Sequence, residues 1–220
     1  MDERLHPPHE PVVGRRERNK QKVRGRLYTA ALELFSEKGY EHTSVDEIAE
    51  AADVARGTFF NHFQRKEDLI SAWGEERRER LRAELNASPT DKHECLPLAL
   101  DRCMRILAEI NEGERKTTQS MLSAWVKAGR PLQEEPYLTD IFACVIEDAR
   151  SHGEIPASVS ARRAGHVLRD VYFGTLYRWC QEPADAFELR AELHAACDIV
   201  LNGITGRSWA AVPAGHAADR

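Results

Sequence analysis

The chain has 220 residues, 42% hydrophobic and 30% charged, with a formal net charge of −5 at pH 7. That is room for one or two ordinary globular domains, and the acidic balance excludes a protein that coats nucleic acid by bulk charge. The apolar runs are short and interrupted, as at 141–146, far below the roughly 20 residues that span a bilayer, so no membrane partner is expected.

Residues 1–19 read as a flexible basic arm. The stretch is polar, holds Pro7, Pro8 and Pro11, and lacks the apolar core of a secretory leader, which makes the cytoplasm the expected location. Between Arg15 and Arg26 seven basic residues face one acid, Glu17. On a chain of net negative charge this asymmetry reads either as a localised phosphate contact or as a solvated tail.

From Val23 the apolar positions step at helical spacing through Leu27, Ala30, Ala31, Leu34 and Phe35, and Gly39 is a C-terminal stop. Ser44-x-x-Glu47 is a capping box that opens a short second helix carrying Val45, Ile48, Ala49 and Ala52. Asp53 to Ala55 form a tight connection, and Arg56 to Phe63 a third short helix. Lys66-Glu67-Asp68 open a fourth, with Leu69, Ile70, Trp73, Leu81 and Leu85. A lysine at that start opposes the helix dipole.

The remaining pattern predicts helices over Cys95–Glu112, Arg115–Ala128, Pro136–His152, Ser158–Gln181 and Ala184–Ile204, then a flexible tail over 207–220. No alternating strand pattern of useful length occurs. The fold class is therefore all-α with about nine helices: a helix-turn-helix domain over 20–66 and a helical domain over 67–206. The five cysteines (Cys95, Cys103, Cys144, Cys180 and Cys197) form no CxxC pair and read as free thiols among apolar helical neighbours. The alternatives, redox sensing or metal binding, find only His93-x-Cys95, which lacks partners at zinc spacing. No cofactor is expected.

Residues 44–63 have the proportions of a helix-turn-helix, whose second helix presents N-terminal side chains to the major groove. Its inward residues are Phe59 and Phe63. Its outward residues Arg56, Thr58, Asn61 and His62 are all hydrogen-bonding types. Val54 to Lys66 carry no acid, thirteen residues in a chain with 36 acids, as suits a surface that faces phosphates.

The run Ala30-Ala31-Leu32-Glu33-Leu34-Phe35-Ser36-Glu37-Lys38-Gly39-Tyr40, then Thr43-Ser44-Val45-Asp46-Glu47-Ile48-Ala49, Ala51 to Phe63 and Lys66-Glu67-Asp68-Leu69, resembles the DNA-binding domain of the tetracycline-repressor (TetR) family in one ungapped frame. Beyond residue 75 the likeness is architectural only. The resemblance implies that Thr43 and Ser44 donate to a phosphate and that Arg56, Gly57 and Thr58 lie at the groove-entering end of the third helix. It also implies that His62 and Lys66 grip phosphates on the flank. Phe60 stands where the family usually has a tyrosine that reaches a phosphate, so that contact is lost, leaving the ring to pack on a sugar or a thymine methyl. Arg56 is the residue expected to read a base, as guanidinium pairs bidentately with guanine; the alternative is a phosphate contact alone. Asn61 either reads a base or is solvated.

The partners this implies are a double-stranded DNA operator, a second copy of the chain and a small-molecule effector. In the eighth helix Ala164, Leu168, Val171, Thr175 and Trp179 form one apolar face, and Phe173, Gly174, Tyr177 and Cys180 a second. Together with Leu193 and Val200 of the ninth helix, the second face suits a two-fold helical interface; a monomer with a larger core is the alternative. Met104, Met121, Trp125, Tyr137 and Phe142 suit an adaptable effector pocket or plain core packing. Few charged residues are expected to be buried among them, which points to an apolar or aromatic effector. The expected function is that of a repressor on an inverted-repeat operator, released when the effector favours another spacing of the recognition helices, with the fourth helix as lever. A ligand-independent or partner-controlled regulator is the alternative. No motif of hydrolases, kinases, nucleotide-binding enzymes or zinc proteases is found, so an enzyme is not expected.

Overall fold

The computed structural model describes residues 14–87, 94–127 and 137–202, with the backbone alone of residue 137. Among the described residues there are nine helices and no strand. They fall into two compact units that divide after Ser71.

The first unit contains α1 (Arg15–Lys38), α2 (Val45–Ala51), α3 (Arg56–Phe60) and the opening of α4 (Asp68–Ala87). α1 buries Leu27, Ala30, Ala31 and Phe35, one stripe at helical spacing. It ends at Gly39, whose φ of 86° lies in the region that glycine tolerates and whose N–H bonds the Phe35 carbonyl at 3.0 Å. The capping box of α2 is formed as expected: the Glu47 N–H donates to Ser44 Oγ at 3.2 Å and the Ser44 N–H to Glu47 Oε2 at 2.8 Å. Asp53 carries the turn into α3 at φ 53°, and the Val54 N–H closes it on the Ala49 carbonyl at 3.0 Å. The side chains of Phe35, Ile48, Phe59, Phe63 and Leu69 are the core of this unit.

Three boundaries of this unit differ from the sequence reading. α1 starts at Arg15, so residues 15–19, expected as a flexible arm, are the first helical turn. α3 ends at Phe60, and residues 61–63 follow as a turn in which the His62 and Phe63 N–H groups both reach the Phe59 carbonyl at 2.9 Å. α4 starts at Asp68, not Lys66, because the Asp68 carboxylate takes the Arg65 N–H at 3.0 Å. The cation that opposed the helix dipole is thus outside the helix.

The second unit contains the rest of α4 with α5 (Leu96–Glu112), α6 (Arg115–Lys127), α7 (Tyr137–Ser151), α8 (Ala161–Gln181) and α9 (Leu189–Asn202). α8 is central, packing on α6, α7 and α9, while α5 packs on α7 and α9. α7 and α8 approach closely at Gly165, where a Cβ would stand 2.5 Å from the Thr139 carbonyl oxygen. The N-terminus of α5 is closed by Glu154, whose carboxylate accepts from the Leu96 N–H at 2.9 Å. α8 begins three residues later than expected, after Ser160 accepts the Arg163 N–H, and α9 begins at Leu189 where Ala184 was expected. Residues 1–13 of the arm, the expected helix ends Ala128, Pro136 and Ile204, His93 and the tail 207–220 lie outside the described residues.

Cys103, Cys180 and Cys197 pack as small hydrophobes, and burial raises their thiols to about 12, 11 and 11. Cys95 and Cys144 are exposed, contrary to the packed positions expected for all five. Among the described residues no helix is long and apolar enough to cross a membrane, and no group of side chains is arranged to hold a metal.

Candidate nucleic-acid interface

α3 sets the geometry of the site. Phe59 is completely buried and Phe63 nearly so, their rings 5.6 Å apart, and this anchor turns the opposite face outward. That face exposes Arg56, Gly57, Phe60 and Asn61, with Thr58 and His62 half-buried. Phe60 is 44% exposed, and the Arg56 guanidinium stands 5.9 Å from its ring centre. Arg56 Nη1 donates to both oxygens of Asp46, at 3.1 and 2.9 Å, which joins the start of α3 to α2. Sequence inspection did not single out Asp46, because its ten-residue separation from Arg56 becomes a contact only when the two helices cross.

Three of the residues expected to donate to phosphate are occupied within the chain. Thr43 is buried and its hydroxyl donates to the Gly39 carbonyl at 2.9 Å. Ser44 is exposed, but its hydroxyl donates to Glu47 Oε2 at 2.8 Å while accepting the Glu47 N–H. Glu47 also takes the Lys38 ammonium, and these bonds, the lysine's first, hold its carboxyl at about 2 against an ordinary 4.5. Lys66 Nζ donates to the carbonyls of Tyr40 at 2.9 Å and Thr43 at 3.0 Å and rests 4.0 Å over the Tyr40 ring. It ties down the connection between α1 and α2 with two of the three ammonium hydrogens. The reason is physical: the connection between the two helices has backbone carbonyls outside any helical ladder, and a cation satisfies them.

His62 is half-buried, and Nδ1 of its ring is buried without a hydrogen-bond partner. Burial first, then Lys20 and Arg24, lower its pKa from 6.5, so the imidazole is neutral at neutral pH. A phosphate contact from it would be a hydrogen bond and not an ion pair.

The basic stretch of α1 is the feature that sequence inspection placed least well. Arg24 donates to the His62 carbonyl at 2.8 Å and stacks on Phe63 at 4.2 Å, and Arg26 lies 3.9 Å from Asp53. A regular helix therefore carries these cations against the end of α3 and the turn before it. The 20–24 spacing was the signal available in the sequence, since i and i+4 share a helix face.

In the second unit, a cavity of about 40 Å³ has Trp73, Arg77, Leu107, Trp125, Tyr172 and Phe173 in its wall. Trp125 is the one expected pocket residue in that wall. Met104, Met121 and Phe142 are buried in the core away from it, and the side chain of Tyr137 lies outside the described residues. Phe173 was expected on a dimer face; its ring instead meets Trp125 edge-on at 4.8 Å. Cys180 and Leu193, assigned to the same face, are also buried inside the unit, whereas Gly174, Tyr177 and Val200 are exposed. The expectation of few buried charges is overturned by Arg77, 6% exposed, which pairs with Glu114 at 2.9 Å and stacks on Trp73 at 3.9 Å. Beside it Asn111 donates to the Tyr172 hydroxyl at 3.0 Å, and burial raises that phenol to about 12.

Residues 27–73 match the family model described as "Bacterial regulatory proteins, tetR family". The regulator TcmR of Streptomyces glaucescens is 50% identical over 56 residues, which are 26% of this chain and only 25% of TcmR. The regulator AcrR of Shigella flexneri is 28% identical over 194 residues, covering 82% of this chain and 88% of AcrR. The structure of Thermus thermophilus FadR, a TetR-family transcriptional repressor in complex with lauroyl-CoA, superposes with a TM-score of 0.62 at 28% identity, covering 84% of this chain and 96% of FadR. With its exposed α3 and buried Phe59–Phe63 anchor, the chain belongs to the TetR family of DNA-binding transcriptional regulators.

Proposed function

We propose that the chain is a cytoplasmic repressor that binds an inverted-repeat operator as a homodimer and is released by a small-molecule effector bound in its second unit. The observation that carries the reading is the outward face of α3. Gly57 is exposed, and a Cβ there would meet nothing within 4 Å, so the chain itself does not require glycine at that position. A glycine inside a short helix costs stability, and close approach of DNA to the backbone is what compensates. Arg56 beside it reads a base edge, Phe60 covers a sugar or thymine methyl, and Thr58 and Asn61 complete the contact surface. His62 lies at its margin and offers a hydrogen bond to phosphate, and the exposed cations Arg15, Arg16 and Lys20 add backbone charge contacts.

Two exposed strips support the dimer. Val167 and Tyr177 on α8, with the exposed Gly174 between them, and Ile199, Val200 and Leu201 on α9 leave apolar side chains in water that a second copy would cover. The lauroyl-CoA complex of the FadR relative supports control by a small molecule. Selection of sites from random duplex DNA by the purified protein, at stated salt, is the test. An enriched inverted repeat is the expected outcome; weak, salt-sensitive binding with no enriched sequence would sink the operator reading.

A further inference from the structure

We propose that the cavity of the second unit binds a planar aromatic ligand carrying oxygen acceptors on its edge, held by the indole N–H groups of Trp73 and Trp125. This deepens the effector reading above and rests on it. Both tryptophans are in the cavity wall, 3% and 6% exposed, and the Nε1 of each is buried without a hydrogen-bond partner. A buried indole N–H nearly always finds an acceptor, so two unmet donors in one wall define what the site lacks.

The other polar side chains of the wall do not supply it. Arg77 and Arg78 are donors only, and they are already paired with Glu114 at 2.9 Å and Glu75 at 2.7 Å. The Tyr172 oxygen accepts from Asn111, which leaves its hydrogen to donate. The remaining wall is aromatic and aliphatic: the Phe173 ring lies edge-on to Trp125 at 4.8 Å and 5.0 Å from that of Tyr172. The complement of this wall is a flat ring with carbonyl, carboxylate or phenolate oxygens.

The alkyl tail of an acyl-CoA offers no acceptor and, seated against this wall, would leave both indole donors unmet, so the proposed ligand class differs from that of the FadR relative. The cavity, about 40 Å³, has space for a few waters, at about 10–15 Å³ each. A ring enters by parting the Trp125–Phe173 edge contact, Phe173 being the half-buried partner of the two.

The test is calorimetric titration of the full chain with 2-naphthoate, with 2-methylnaphthalene (the same ring without acceptors) and with lauroyl-CoA, alongside operator binding. Naphthoate should bind at least about tenfold more tightly than methylnaphthalene, and Trp73→Phe or Trp125→Phe should each weaken naphthoate binding by about tenfold and narrow that ratio. The comparison of the two ring compounds on the unsubstituted chain needs no variant to fold. Absence of naphthoate binding, equal affinity for the two ring compounds, or Trp→Phe variants that bind naphthoate as before would each overturn the proposal. Release of operator by lauroyl-CoA without naphthoate binding overturns the ligand class and leaves effector control standing. Naphthoate binding that meets both criteria but leaves operator affinity unchanged supports the ligand class and removes effector control.

Discussion

Arg56 is held in place by Asp46 and both side chains remain about 60% exposed, 63% and 60%, so the pair is open to a competing partner. An exposed ion pair of this kind contributes little to stability, and its effect is to orient the guanidinium. Arg56→Ala should therefore weaken operator binding by about 1–3 kcal/mol and relax the preference at one base position. Titration of the operator and of its single-base variants by fluorescence anisotropy checks this. A loss that is uniform across all sequences would reduce Arg56 to a phosphate contact. Glu47 gives a second prediction at this scale. Its carboxyl is depressed in the folded chain, so its contribution is present above the ordinary 4.5 and is lost as pH falls from there toward about 2. Glu47→Gln should flatten the decline of the thermal midpoint between those values, and a decline as steep as that of the unsubstituted chain would count against the assignment. The Ser44–Glu47 box was legible in the sequence because it is local. Lys66 was not, because the carbonyls it serves, those of Tyr40 and Thr43, are far from it along the chain.

At the scale of the helix, most of the pattern could be read from apolar spacing, and the errors were at the ends. Arg15 to Lys22 carry no apolar stripe, so periodicity could not extend α1 into them. They are helical in continuity with a segment anchored by Leu27 and Ala31. The contact between α7 and α8 gives a third prediction. Gly165→Ala places a methyl against the Thr139 carbonyl, in backbone that cannot swing away as a side chain would. The expected cost is about 1–3 kcal/mol, read as a lower urea midpoint at unchanged slope. An unaltered midpoint would mean that α7 and α8 part easily. Sequence inspection recognised no role for Gly165, since a single glycine inside a helical pattern does not say which neighbour comes close.

For the whole molecule, the covering of exposed apolar side chains on α8 and α9 is the central prediction. Tyr177 at 43%, Ile199 at 55% and Val200 at 37% exposure leave large apolar side chains in water. Tyr177→Asp with Val200→Asp should convert a dimer to a monomer in sedimentation and weaken binding to a two-half-site operator at least tenfold, with single-half-site binding little changed. A dimer that persists would place the interface elsewhere. What the sequence by itself determined were the all-helical class, the short α2–turn–α3 unit and its outward Arg56 and Asn61. Capping, apolar period and an acid-free stretch are properties of neighbouring residues. Only the tertiary structure decided that Phe173, Cys180 and Leu193 turn inward, that Arg77 is buried beside Trp73, and that two indole donors in one wall lack acceptors. A helix with apolar residues around most of its circumference does not state which side faces its own core. That choice depends on how α6, α7 and α9 surround α8, and so on contacts between residues distant in the chain.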